Sequence, residues 1–216
     1  MRYVTLWILM LFAPLASADD MSIDIHLGSY PRLVAVPGYP VYYDPDIRSN
    51  YFFYDGLYWV YANDNWYESH WYNGPWHYAQ PAVVPYYMLR VPVRYYRVPP
   101  PYFAPWHRDA PPHWGEHWGR DWADHHPNWD HWDHHAAPPP APLPDYQRHY
   151  AGARYPVAEN DQHALRQQNY HYQPREDDTR ERWHEQDAQR DEHPDARGNP
   201  HGDVHGNPHG EQWTHQ

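Results

Sequence analysis

Residues 50–79 read NYFFYDGLYWVYANDNWYESHWYNGPWHYA, and this stretch decides the fold. Aromatic runs alternate in it with Asp55-Gly56, Asn63-Asp64-Asn65 and Asn73-Gly74, the strongest short-range turn signals a sequence offers. Phe53-Tyr54-Asp55-Gly56-Leu57-Tyr58 and Trp71-Tyr72-Asn73-Gly74-Pro75-Trp76 share one pattern, aromatic-x-x-Gly-x-aromatic. A two-residue turn at Asp55-Gly56 makes Phe53 and Tyr58 a cross-strand pair on one face. The same register pairs Trp71 with Trp76, although Pro75 lacks the N–H of a tight turn and opens that hairpin. With Ala62–Asn65 as a four-residue loop, Tyr61 faces Trp66.

The alternation then defines two faces. Tyr51, Phe53, Tyr58, Val60, Tyr67, Ser69, Trp71 and Trp76 share one. Phe52, Tyr54, Leu57, Trp59, Tyr61, Trp66, Glu68, His70 and Tyr72 share the other, which Glu68 and His70 mark as the solvent side. Exposed rows of Tyr and Trp stack sugar rings or peptides, so Trp59, Tyr61, Trp66, Glu68, His70 and Tyr72 form a candidate ligand platform. Cover by residues 83–103 or by a Trp-bearing helix would remove it.

Working outward, Arg32–Val36 and Val41–Tyr43 are short β-type runs broken by prolines, suited to sheet edges. Val83-Val84 and Tyr86–Arg97 read as further strands, and Pro99-Pro100-Pro101 ends them. In residues 106–135 the period changes. Trp114, Trp118 and Trp122 recur every four residues, predicting a helix opened by Pro111-Pro112, capped by Asp109, and docked on the sheet by its Trp stripe. Gly115 and Gly119 weaken that helix by ~1 kcal/mol each relative to Ala. From Ala136 the chain turns Pro-rich and then polar, with short solvated helices over 158–169 and 175–192. It closes on an octad repeat, GNPHGD then GNPHGE. Such a tail buries too little apolar area to offset its ordering entropy.

The expected organisation is a signal peptide over 1–18, a loose N-terminus over 19–29 and an aromatic β domain over 30–103. A Trp/His-rich helical segment over 104–135 and a Pro-rich linker with a disordered, acidic, His-rich tail over 136–216 complete it. The fold class is mainly β: a small antiparallel aromatic β-meander followed by a Trp-rich helical segment and a disordered tail.

Met1-Arg2, the apolar run Val4–Leu15 and Ala16-Ser17-Ala18 have the form of a secretory leader cleaved near Ala18. No later segment has the length of a membrane span, so a periplasmic or secreted location is expected. Cysteine is absent, which excludes disulfides and a lipid-modified cysteine. Sixteen basic residues, every one an arginine, stand against 28 Asp and Glu, for a net charge of −12, or −13 without Arg2. That balance disfavours nucleic acid as a partner. Twenty histidines make the charge steeply pH-dependent.

Nucleophilic catalysis is poorly provisioned: there is no Cys or Lys, no G-x-S-x-G elbow, and few serines (Ser22, Ser29, Ser49 and Ser69 after the leader). His113-Trp114-Gly115-Glu116-His117 fits the inverted zincin pattern H-x-x-E-H, so a zinc hydrolase is one reading. The two glycines and the adjacent prolines ill suit a rigid zinc helix. Clustered imidazoles at His125, His126, His131, His134 and His135, with His113 and His117, suit Zn, Cu or Ni and make a divalent-metal buffer the second reading. The first reading is a non-enzymatic envelope protein that binds glycan or a protein partner through aromatic surfaces.

The hexapeptide Trp71–Trp76 resembles the W-x-x-G-x-W pattern of exported bacterial repeat proteins. Together with NYFFYDGLYWVY, LRVPVRYYR, PPPYF, WGEHWGRDW and APLPDYQRHYAGARYP, it resembles an uncharacterised proteobacterial family of exported proteins over about residues 30–172. That resemblance implies export and an envelope location, and no particular activity.

Overall fold

The computed structural model describes residues 25–177 together with Ile23, Thr179, Arg180, Glu181 and Trp183. The leader and the octad repeat lie outside the described residues. Six antiparallel strands form one sheet in simple chain order: β1 (Val34–Ala35), β2 (Tyr42–Tyr43), β3 (Asn50–Tyr54), β4 (Leu57–Ala62), β5 (Asn65–Ser69) and β6 (His77–Ala79). The rest is short helix, 3-10 turns and irregular chain: α1 (Tyr86–Leu89), α2 (Trp114–Trp118), α3 (Arg120–His125) and α4 (Glu159–Asn169). No helix among the described residues is long and apolar enough to cross a membrane.

The turn chemistry places the central strands. Asp55 and Gly56 both have positive φ (50° and 90°), as do Asn63 and Asp64 (50° and 66°), the signature of two-residue type I′ turns. Phe53 pairs with Tyr58 and Tyr61 with Trp66, as the residues predict. The second loop is tighter than expected, because Ala62 and Asn65 already pair across the strands.

The third hairpin differs. β5 and β6 pair Glu68 with His77, so Trp71 and Trp76 are not opposite one another. Residues 70–76 form a wide connection through a cis Gly74–Pro75 bond, with Gly74 at φ +81°. Strand parity therefore ends at Ser69, and Tyr72, expected on the second face, packs on the first beside Tyr51, Phe53, Tyr58 and Val60.

The expectation of a solvent-facing side is corrected: both faces are sealed. Phe52, Trp59, Tyr61 and Trp66 are at most 2 % exposed, and Glu68 is buried with them. Tyr96 meets Phe52 at 5.2 Å, Phe103 lies parallel to Tyr61 at 6.4 Å, and Trp114 stands edge-on to Tyr61 at 5.2 Å. Each buried Trp or Tyr removes ~150–250 Å² from water, a gain large enough to outweigh one or two poorly solvated polar neighbours such as Glu68.

The covering chain is not sheet. Residues 83–97 form α1 and 3-10 turns at Pro81–Val83 and Val93–Tyr95, because Pro85 and Pro92 supply the N-cap positions where a ladder N–H would be needed. The Trp-rich helix begins at Trp114 rather than Pro111, and Asp109 pairs with Arg94 instead of capping it. Gly119, at φ +88°, breaks it into α2 and α3. Trp114 is fully buried, and Trp118 stacks on it at 4.6 Å.

Residues 136–176 are not a free linker, which is the largest departure from the expected organisation. They belong to the same unit as the sheet, which ends at Glu176. Ala141 sits in the core beside Tyr51 and Phe53. Gln147, 1 % exposed, accepts from Tyr58 Oη (3.1 Å) and the Tyr72 N–H (3.2 Å), and donates to the His70 carbonyl (2.9 Å). Trp71 is ringed edge-on by Tyr146, Tyr150 and Tyr155 at 5.6–5.7 Å and donates to the Gln162 carbonyl on α4. Tyrosines and glutamines hold this segment down together with Ala141 and Leu143.

Candidate functional site

The covered second face alters the ligand platform. Trp59, Tyr61, Trp66, Glu68 and Tyr72 lie in the interior, and His70 is half-buried with its carbonyl held by Gln147. No row of them is presented to a sugar or peptide.

The histidines are dispersed onto neighbouring rings and carbonyls. His113 stacks on Trp106 (4.9 Å) and faces Glu116 through Nδ1 (3.1 Å). His125 and His126 turn Nδ1 to the carbonyls one turn back, Asp121 and Trp122, each at 2.7 Å, and His126 also stacks on Trp122. His131 faces Asp130, His134 packs on Trp132, and His135 is exposed beside Asp133, whose carboxylate accepts its main-chain N–H. Among the described residues no three His, Asp or Glu side chains converge as a metal site. The H-x-x-E-H pair is likewise split, since His117 turns to a different cluster from His113.

That cluster gathers two phenols, a carboxylate and an imidazole. The type I′ turn after β4 presents Asp64, the end of β4 brings Tyr61, the 3-10 turn Pro101–Phe103 brings Tyr102, and α2 brings His117. Asp64 Oδ1 accepts from Tyr61 Oη at 2.7 Å and from Tyr102 Oη at 2.5 Å, and the two phenol oxygens are themselves 2.5 Å apart. His117 Nε2 lies 3.1 Å from Asp64 Oδ1 and 3.3 Å from Tyr102 Oη, its ring parallel to Tyr102 at 4.5 Å. Burial works to raise the Asp64 carboxyl, but the hydrogen bonds from Tyr102 and Tyr61 and the nearby His117 outweigh it and hold it below its ordinary value. Tyr61 and Tyr102 are both pushed up, first by burial and then by Asp64. The Asp64 side chain is 55 % exposed and that of His117 19 %, so the cluster opens to solvent on one side. The residues that sequence reasoning missed are Asp64, read as a turn former, and Tyr102, which lies just past the Pro99-Pro100-Pro101 stop and carries no local signal.

A second feature adjoins it. Val93, Arg94, Tyr96, Arg97, Pro99–Pro101, Phe103, Ala104, Trp106 and Arg108 line a cleft of about 480 Å³. Its walls are fixed by main-chain bonds from Val93 N to the Ala110 carbonyl and Arg94 N to the Arg108 carbonyl. Asn50 also exchanges two hydrogen bonds with Val98. Arg94 is paired with Asp109. Among the described residues neither Arg97 nor Arg108 forms a close ion pair with a carboxylate, and both are exposed, although Arg97 lies near enough to Asp46 to help hold its carboxyl down. Trp106 is stacked by His113 at 4.9 Å and packed by Phe103 at 4.6 Å.

Comparison with known proteins brings nothing to set beside this geometry: no family model, no curated protein and no solved structure matches the chain.

Proposed function

We propose that this chain is an exported, non-enzymatic envelope protein that holds an acidic segment of a protein partner in the Arg94–Arg97–Arg108 cleft. The observation that carries the reading is the cleft itself: three arginines line it, two of them outside any close ion pair, in a chain that bears 28 acidic residues. Guanidiniums match carboxylates as planar, two-pronged donors, and the prolines with Phe103 and Ala104 give apolar side chains a floor. A peptide fits better than a glycan because the indole that lines the cleft, Trp106, already stacks on His113 and packs on Phe103, and the aromatic meander lies in the interior. The scarcity of nucleophiles supports the non-enzymatic part, and the leader-like N-terminus with the motif resemblance supports export to the periplasm or beyond.

The test is fluorescence anisotropy of a labelled peptide alternating Glu and Leu against the full chain, with polygalacturonate as the glycan competitor. The expected result is peptide binding that weakens as salt rises, falls at least about tenfold in Arg97→Gln/Arg108→Gln, and survives the polymer. Binding unchanged by the double substitution, tighter binding of the polyuronate, or binding of neither would overturn the reading.

A further inference from the structure

Independently of that cleft, we infer that Tyr61, Asp64, Tyr102 and His117 form a binding site for a hard trivalent cation, with ferric iron as its natural occupant. The starting point is a proton count. Tyr61 Oη, Tyr102 Oη and Asp64 Oδ1 form a closed triangle with edges of 2.5, 2.5 and 2.7 Å. Two phenols and a carboxylate bring two protons to those three edges. One edge therefore sets lone pair against lone pair at hydrogen-bond distance, an arrangement that a shared cation relieves.

The dimensions fit a coordination shell. A cation bound at about 2.0–2.2 Å sets neighbouring donors roughly 2.8–3.3 Å apart. The contacts among these four atoms run from 2.5 to 3.3 Å, so the oxygens need to open by only a few tenths of an ångström. His117 Nε2 completes the set from α2, with Nδ1 left on the far side of the ring.

Charge selects the metal. With both phenols ionised, the ligands carry three negative charges, which a trivalent ion balances and a divalent ion does not. An unbalanced charge beside the buried Tyr61 is costly. Oxygen-rich, anionic donors also favour a hard ion over the softer metals that imidazole clusters take. Binding forms two metal–phenolate bonds, one metal–carboxylate bond and one metal–imidazole bond, and releases the two phenolic protons to solvent. The half-exposed Asp64 side leaves further positions for water or a small anion.

The experiment adds ferric citrate to the full-length protein. The expected result is a visible phenolate-to-iron charge-transfer band saturating at one iron per chain, with tyrosinate modes in its resonance Raman spectrum. Tyr102→Phe and Asp64→Asn change half-buried or exposed side chains at the rim, and each is expected to weaken binding at least about tenfold. Replacement of His125, His126, His131, His134 and His135 by alanine is expected to leave the band in place. Absence of the band in the wild type, its full retention in folded Tyr102→Phe, or its loss in the histidine-cluster variant would overturn the inference.

Discussion

The Asp55 carboxylate, in the turn between β3 and β4, accepts the main-chain N–H of Arg175 at 2.9 and 3.0 Å across 120 residues of chain. The same carboxylate accepts from the Glu176 N–H at 3.0 Å and from Tyr172 Oη at 2.6 Å, while Tyr54 Oη reaches Glu176 at 2.7 Å. A residue chosen by the turn for its tolerance of positive φ thus also ties down the far end of the folded unit.

Asp55→Gly separates those two tasks, because glycine keeps the turn and removes the acceptor. Charge-assisted hydrogen bonds to a side chain that is 2 % exposed set the loss on the order of 3 kcal/mol. A fall in melting temperature of about 6–12 °C follows. Thermal unfolding measures the loss, and limited proteolysis should show new cleavage around 170–176 with the sheet intact.

Gln147 is the second clamp. Gln147→Ala leaves the Tyr58 hydroxyl, the Tyr72 N–H and the His70 carbonyl without their partner in the interior, a loss of about 2–4 kcal/mol in chemical denaturation. Gln147→Glu restores the acceptor but not the donor, and puts a carboxyl where burial favours its neutral form. Its deficit should shrink as pH falls and the carboxyl takes up a proton.

The meander is legible in the residues because Asp55-Gly56 and Asn63-Asp64 demand φ > 0, and the register of Phe53 with Tyr58 and Tyr61 with Trp66 follows. The cover is only partly legible. Trp114 belongs to the four-residue Trp period that predicts a docked helix, but Tyr96 and Phe103 reach the sheet from proline-punctuated chain with no period to detect, and Gln147 and Tyr155 look like solvated polar residues until their partners are seen. The Tyr61–Asp64–Tyr102–His117 cluster is hidden for the same reason. Its members come from a strand, a turn, a 3-10 turn and a helix whose proximity no local spacing encodes.

Alkaline unfolding follows from the buried phenols. Burial pushes Tyr30 and Tyr146 up to about 12, and Tyr51, Tyr58 and Tyr96 well above their ordinary value. An unfolded phenol ionises near ~10, so this stability is complete below that pH and is lost as pH rises towards 12. Phenolate absorbance should rise steeply in that window together with loss of the near-ultraviolet circular dichroism. Ionisation of most tyrosines near pH 10 with the dichroism intact would contradict the burial.

Acid has the opposite sign at Asp64. Its carboxyl is held below its ordinary value in the folded chain, so its contribution is present above the unfolded value and lost as pH falls through the folded one. Asn tolerates the φ of +66° at this position. The gap in denaturation midpoint between wild type and Asp64→Asn should therefore be open at pH 6 and close below about pH 4. A gap that persists unchanged at low pH would remove the ionised carboxylate from the cluster.

The aromatic sheet is interior, and the cleft beside it is the surface proposed to bind the partner. Amide hydrogen exchange of the full chain, with and without the Glu/Leu peptide, reads it directly. Slow, peptide-independent exchange over β3, β4 and β5, with new protection at 93–97 and 106–110, is the expected result. New protection spread across 57–72, with none in the cleft, would contradict it.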